Sequence, residues 1–161
     1  MTVKEYNQLI DNHSNGLYRF ILKHIKDEAV AQDIVQDTFE KVWIKVNDIS
    51  YEKSKSYLYT VAHRKLIDYT RKQKNQEKYI AVSSSDHYSH NQYSDLKQIL
   101  NEALDKLPSI QKSVIMLRDY EGYDYAEIGQ ITDLSESQVK VYIFRARTFL
   151  KNYLVNLEVV I

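Results

Sequence analysis

Glu121 to Lys151 reads EGYDYAEIGQITDLSESQVKVYIFRARTFLK, and its spacing predicts a short helix, a tight turn and a longer helix. Asp124 is a strong N-cap, with Glu127 three residues later as its capping-box partner. Ile128 and Ile131 give the short helix an apolar face, and Gly129 sits where two crossing helices need a small side chain. Asp133 takes the turn, where a positive φ is expected; Asp tolerates that conformation better than most residues. Ser135 then caps a second helix whose Val139, Ile143, Ala146 and Leu150 recur at i, i+4, i+7 and i+11, one buried stripe. Its other faces carry Gln138, Lys140, Arg145, Arg147 and Lys151, and from Gln138 to Lys151 there are four basic residues and no acid. This pattern suggests a helix-turn-helix with its second helix in a DNA major groove. It also fits an ordinary helical hairpin with a solvated basic face.

The rest of the 161 residues carries the same helical signature. Three Gly and one Pro are too few for a β-rich chain full of tight turns. The absence of Cys excludes disulfides and thiolate metal sites. No apolar run approaches membrane-spanning length and the first residues lack the apolar core of a signal peptide, so a cytoplasmic protein with no membrane insertion of its own is expected. Lys and Arg total 22 and Asp and Glu 22, a zero balance that hides segregation. Asp27 to Glu52 holds seven acids against two lysines, whereas Arg64 to Lys78 holds six bases against two acids. Asp119 to Glu136 holds six acids and no base. The basic stretches can meet phosphates; the acidic ones suit a basic protein partner.

In chain order, residues 3–12 and 16–26 read as two helices, with His24 on the surface or half-buried. Residues 29–46 form a strong amphipathic helix. Its stripe is Val35, Phe39, Val42 and Val46, widened by Ile34 and Trp43, with Asp33, Gln36, Asp37 and Glu40 lying off it. No Glu-x-x-His partner accompanies these carboxylates, so a protein-docking or solvated face is expected rather than a metal site. After a loop at 47–54, residues 55–75 form a second strong helix. Leu58, Val61, Ala62, Leu66 and Tyr69 face inward, and Tyr57, Tyr59, Arg64, Arg71 and Lys72 are left to project. Aromatics interleaved with cations suit unstacked bases on a charged backbone, although tyrosines at the edge of a core fit the same spacing. Residues 76–93 read as a Ser-rich linker, in which His87 and His90 have no further ligand cluster to make a metal site. Residues 94–106 and 109–120 are two more helices, with Pro108 at the first position of the second. No P-loop, nucleophile elbow or metal-hydrolase motif is present, and neither a cofactor nor an enzymatic activity is expected.

Four motifs in order carry a family resemblance. AQDIVQDTFEKVW (31–43) is similar to an Asp-x-Val-Gln-(Asp/Glu)-x-Phe-x-x-x-Trp helix, and SYLYTVAHRKLIDYTRK (56–72) to the (Trp/Tyr)-Leu-Tyr-x-x-Ala-x-Asn-x-x-x-Asp-x-x-Arg helix that follows it. LDKLPSIQKSVIMLRDYEGYDYAEIGQITDLSESQVKVYIFRAR (104–147) is similar to a run of Leu-Pro-x-x-x-(Arg/Lys)-x-Val-x-x-Leu-Arg, Tyr-x-Glu-Ile, Ser-x-x-x-Val-Lys and Arg-Ala-Arg. Together they resemble the bacterial RNA polymerase sigma factors of the extracytoplasmic-function group, over nearly the whole chain.

The resemblance implies an all-α chain of two small helical domains joined by a flexible linker. Residues 1–75 would be the region 2-like domain, 76–93 the linker, and 94–161 the region 4-like domain that contains the helix-turn-helix. It implies an alternative sigma factor that binds core RNA polymerase and directs promoter-specific initiation, with no chemistry of its own, and an anti-sigma factor as a further partner. Asp33, Gln36 and Asp37 would dock on polymerase. Tyr57, Tyr59, Arg64, Arg71 and Lys72 would capture and melt the single-stranded −10 element. Ser135, Ser137, Gln138, Lys140, Val141, Tyr142, Arg145 and Arg147 would meet the duplex −35 element. Arg64, Val141 and Tyr142 depart from the family's usual Asn, Ser and Arg. A helix-turn-helix regulator acting without core polymerase, or a polymerase-binding adaptor, are the rival readings.

Overall fold

The computed structural model describes residues 1–77 and 95–160, which form seven α-helices and, among the described residues, no strand. The first module is α1 (Val3–Ile25), α2 (Glu28–Ile44) and α3 (Tyr51–Glu77). Thr2 caps α1 by accepting from the Glu5 N–H, and Asp27 caps α2 by accepting from the Val30 N–H. Between them Lys26 takes a left-handed conformation, φ 62°, and its N–H bonds the Leu22 carbonyl. Leu9, Leu17, Phe20 and Ile21 of α1 are buried against Ala31, Ile34, Phe39 and Val42 of α2 and Leu58, Ala62 and Leu66 of α3.

Several boundaries differ from those the sequence predicts. Residues 3–12 and 16–26 are one helix that runs through Gly16. A Cβ built there would lie 3.2 Å from the Tyr59 hydroxyl and 3.3 Å from a Glu121 carboxylate oxygen, so the glycine answers a long-range approach and not a local break. Helix α3 begins at Tyr51, within the expected loop, where the Ser54 hydroxyl bonds the Tyr51 carbonyl. It also takes in Gln76 and Glu77, which the sequence assigns to the linker. The rest of that linker, with His87 and His90, lies outside the described residues.

The second module is α4 (Asp95–Asp105), α5 (Ser109–Asp119), α6 (Tyr125–Thr132) and α7 (Glu136–Val160). Pro108 is the N-cap of α5 and not its first helical residue; its ψ of 144° is still extended. The Asp124–Glu127 capping box is formed in both directions, and Asp133 ends α6 at φ 60°. Val139, Ile143 and Ala146 are buried and Leu150 half-buried, against Val114, Leu117, Ile128 and Ile131.

The fold is two small helical modules, as the sequence leads one to expect, and they share one apolar cluster from Leu9 to Ala146 where α3 packs against α6. Polar contacts complete the junction. The Tyr59 hydroxyl donates to Glu121 at 2.9 Å, and the Tyr59 and Tyr123 rings meet edge to face with centroids 5.3 Å apart. Buried Ser113 of α5 lies 3.1 Å from His24 Nε2 and 3.2 Å from His63 Nε2. His24 Nδ1 is 2.9 Å from the Phe20 carbonyl, which can only accept, so that nitrogen carries the proton. His24 Nε2 must then accept from the Ser113 hydroxyl, and Ser113 in turn accepts from His63 Nε2–H.

This chain of bonds requires a neutral His24, whose Nε2 accepts, while His63 can donate its Nε2–H in either charge state. Burial holds His24 at about 3 and His63 at about 4, well below the ordinary 6.5. The unfolded chain therefore takes up these two protons first as pH falls. Their contribution is fully present above pH 6.5 and is lost progressively on acidification towards pH 3. Thermal melting between pH 7 and pH 4 should show a fall in stability that His63→Gln makes shallower; an identical slope in the variant would contradict this origin.

Candidate nucleic-acid interface

Three exposed faces stand out on this framework. The first is the outer side of α7. Ser135 opens the helix: its hydroxyl accepts from the Gln138 N–H at 3.2 Å, while Gln138 Oε1 accepts from the Ser135 N–H at 3.0 Å. Gln138 is thus committed through its oxygen to a capping box, and its amide nitrogen is what remains for an outside partner. Ser137, Gln138, Val141, Tyr142 and Arg145 line one shallow recess of about 280 Å³. The Arg145 guanidinium lies 6.0 Å from the Tyr142 ring centre. Lys140 makes an exposed i,i+4 pair with Glu136 at 3.7 Å. Arg147 is held by Asp119 at 2.7 Å, which braces α7 against α5; that bond is also the main reason its guanidinium is still harder to deprotonate than usual.

Phe144 is 71% exposed, one turn beyond Val141 on the same side of the helix. It is not among the recognition-helix residues that the family resemblance implies. Its signal was an aromatic residue lying off the Val139–Ile143–Ala146 stripe, where a large apolar side chain has no core to enter.

The second face runs along α3. Tyr57, Arg64 and Arg71 are spaced by seven and share one side, with Lys72 beside them; Tyr57 is half-buried and the three cations are exposed. No carboxylate among the described residues pairs with Arg64, Arg71 or Lys72. Tyr59 does not belong to this side. It is 1% exposed, and burial together with the Glu121 carboxylate pushes its phenol well above the usual range. Tyr59 could meet a base only if the two modules separated.

The third face is on α2. Asp33, Gln36 and Asp37 are all exposed and run on through Glu40. The expectation that Trp43 widens the buried stripe is corrected: it is 44% exposed, with its ring 4.9 Å from that of Tyr6, and Ile44 beside it is 76% exposed. The Tyr6 hydroxyl is occupied by the Phe39 carbonyl, so α1 fills the other side of the helix. An open groove of about 520 Å³ between α1 and α2 is lined by Ile10, Val35 and Phe39 and edged by Gln36 and Glu40. Among the described residues no group of three or more potential metal ligands converges, and no helix is long and apolar enough to cross a membrane.

Comparison with known proteins covers both modules. The family described as Sigma-70 region 2 matches residues 9–76, and Sigma-70, region 4 matches residues 97–150. The chain is 30% identical to the ECF RNA polymerase sigma factor SigM of Bacillus subtilis, covering 94% of each chain. It is 32% identical to the RNA polymerase sigma factor SigV of the same organism over 85% of this chain and 83% of SigV. Among solved structures it is similar to the sigma factor RpoE of Bartonella quintana in complex with the anti-sigma factor NepR. That match has a TM-score of 0.80 and 26% identity over 94% of this chain and 98% of the other.

Proposed function

The chain belongs to the ECF RNA polymerase sigma factors, and from that premise we propose that its three exposed faces act in the three steps of promoter-specific initiation. It is an alternative sigma factor that binds core RNA polymerase and directs transcription from its promoters, acting in the cytoplasm and not as an enzyme. Residues 1–75 serve as the region 2-like domain, 76–93 as the linker and 94–161 as the region 4-like domain. The acidic face at Asp33, Gln36 and Asp37 docks on polymerase, with Trp43 and Ile44 adding apolar area at its end. Tyr57, Arg64, Arg71 and Lys72 follow the −10 strand by stacking and charge. Ser137, Gln138, Lys140, Val141, Phe144 and Arg145 face the −35 duplex, Phe144 and Val141 being suited to thymine methyl groups. An anti-sigma factor is a further partner, a reading supported by the complex in which the similar RpoE was solved.

The observation that carries this reading is the occurrence of all three faces on one chain that matches both sigma regions. A helix-turn-helix regulator working alone accounts for α6 and α7 but not for the exposed acids of α2. Run-off transcription from a promoter library by core polymerase, with and without the chain, tests it. Promoter-specific transcripts only with the chain are expected. Specific DNA binding without any effect on core polymerase would favour the regulator, and polymerase binding without transcripts the adaptor.

The cap geometry sharpens one part of this. Gln138→Glu keeps an acceptor for the Ser135 N–H but removes the amide donors, whereas Gln138→Ala removes both. Gln138→Glu should therefore keep the stability of the chain and change the selected −35 sequence. Gln138→Ala should in addition lose about 1 kcal/mol of stability. Binding-site selection with each variant decides: unchanged selection by Gln138→Glu would remove Gln138 as a base reader and leave it a cap.

A further inference from the structure

A cavity of about 460 Å³ opens between the modules, lined by residues of both. Arg19, Lys23 and Lys26 line it from the first module, and Lys97 and Lys112 from the second. Only two acids share the lining, Glu28 and Asp105. Asp105 is already taken, since both Lys26 and Lys112 pair with it. Lys112 is buried and also donates to the Lys23 carbonyl, so it fixes α5 to the end of α1. Among the described residues, no carboxylate lies within ion-pair distance of Arg19, Lys23 or Lys97. These cations also press on each other. Burial, and then repulsion from Lys97 and Arg19, holds the Lys23 ammonium below the usual lysine range. Leu22 and Leu104 add an apolar part to the lining.

Like charges crowded into one cavity oppose folding unless something neutralises them. The cavity has the size of a nucleotide site. Arg19, Lys97 and Lys23, the last with its ammonium 3.8 Å from the Tyr120 ring centre, have no carboxylate partner among the described residues and call for an anion of equal charge density. Carboxylates of an acidic peptide spread their charge along several residues, while a polyphosphate concentrates it. Lysines serve as point charges for phosphate, and Arg19 offers a fork to two of its oxygens. We propose that this cavity binds a small polyphosphate anion, either inorganic triphosphate or the phosphate chain of a nucleoside triphosphate, held by Arg19, Lys23 and Lys97. Because the cations come from both modules, occupancy ties the first module to the second.

The test uses the full chain in EDTA, at ionic strength held constant with sodium chloride. Thermal melting is followed with sodium triphosphate, ATP, adenosine, sulfate and hexaglutamate. Triphosphate and ATP should each raise the melting temperature by several degrees, since a ligand of the folded state stabilises it by mass action. Sulfate and adenosine should not. Stronger stabilisation by ATP than by triphosphate would add the base on Leu22 and Leu104 to the site, and equal effects would confine recognition to the phosphates. Lys23→Gln with Lys97→Gln should weaken triphosphate binding, measured by calorimetry well below the melting temperature, by about tenfold or more. Arg19→Gln, at an exposed position, repeats the test if the double variant melts early. The proposal is overturned if triphosphate gives no more than sulfate, if hexaglutamate binds more tightly than triphosphate, or if these variants bind triphosphate as the parent does.

Discussion

Asp33→Lys combined with Asp37→Lys is expected to abolish co-purification of the chain with core RNA polymerase while leaving its own melting curve nearly unchanged. Both side chains are exposed and point away from the Ala31–Ile34–Phe39–Val42 surface that packs on α1 and α3. Neither takes part in an ion pair among the described residues, and the Asp27 cap that starts α2 is untouched. Exposed substitutions of this kind usually change stability by no more than about 0.5 kcal/mol. Binding to a basic partner surface is another matter, because each reversal replaces an attraction with a repulsion. Affinity capture on tagged core enzyme, alongside circular dichroism of the free variant, measures both. Retention of core binding by a folded double variant would move the docking surface away from α2.

Gly129→Val should strongly destabilise the second module. The Cβ it introduces would fall 2.7 Å from the Leu134 carbonyl oxygen, a contact real Cβ atoms do not make. The obstacle is backbone and cannot rotate aside. Leu134 also donates its N–H to the Gly129 carbonyl at 3.0 Å, so the turn is pinned where the new methyl groups need space. Overpacking of this kind costs about 1–3 kcal/mol. Relief requires α6 to move away from the start of α7, which would misplace the Ser137–Gln138–Val141 surface. The variant should melt earlier, and its complex with core polymerase should lose transcription from promoters that depend on the −35 element. Wild-type melting and transcription together would show that the turn can absorb a side chain.

The helix-turn-helix was legible because its determinants are local. Asp124 and Glu127 bond each other's backbone, Asp133 lies within the turn, and the Val139–Ile143–Ala146 stripe repeats at the helix period. The all-helical architecture was legible for the same reason. What sequence spacing could not reveal depends on residues far along the chain. Tyr59 sits among cations and reads as projecting, yet its partner is Glu121, sixty-two residues on. Residues 13–15 read as a break before a helix starting at Gly16, and the reason Gly16 is small lies at Tyr59 and Glu121. Trp43 extends an apolar stripe on paper, but α1 covers the helix only as far as Tyr6 reaches. The cationic cavity had no signature at all, since Arg19, Lys23 and Lys97 come together only when the modules close. Gln138 stands between these cases: its capping partner is three residues away, but the same amide suits a DNA base.

Trp43 is the only tryptophan in the chain and lies on α2, in the first module. Its fluorescence therefore reports on that module alone. The apolar cluster that continues from Leu9 to Ala146 couples the melting of one module to that of the other. Unfolding should be a single cooperative event, with calorimetric and van't Hoff enthalpies in agreement. A lesion at Gly129, eighty-six residues from Trp43 in sequence, should then shift the fluorescence transition of Trp43 by as much as it shifts the loss of helix seen by circular dichroism. The stability of each module is, in this sense, a property of the other.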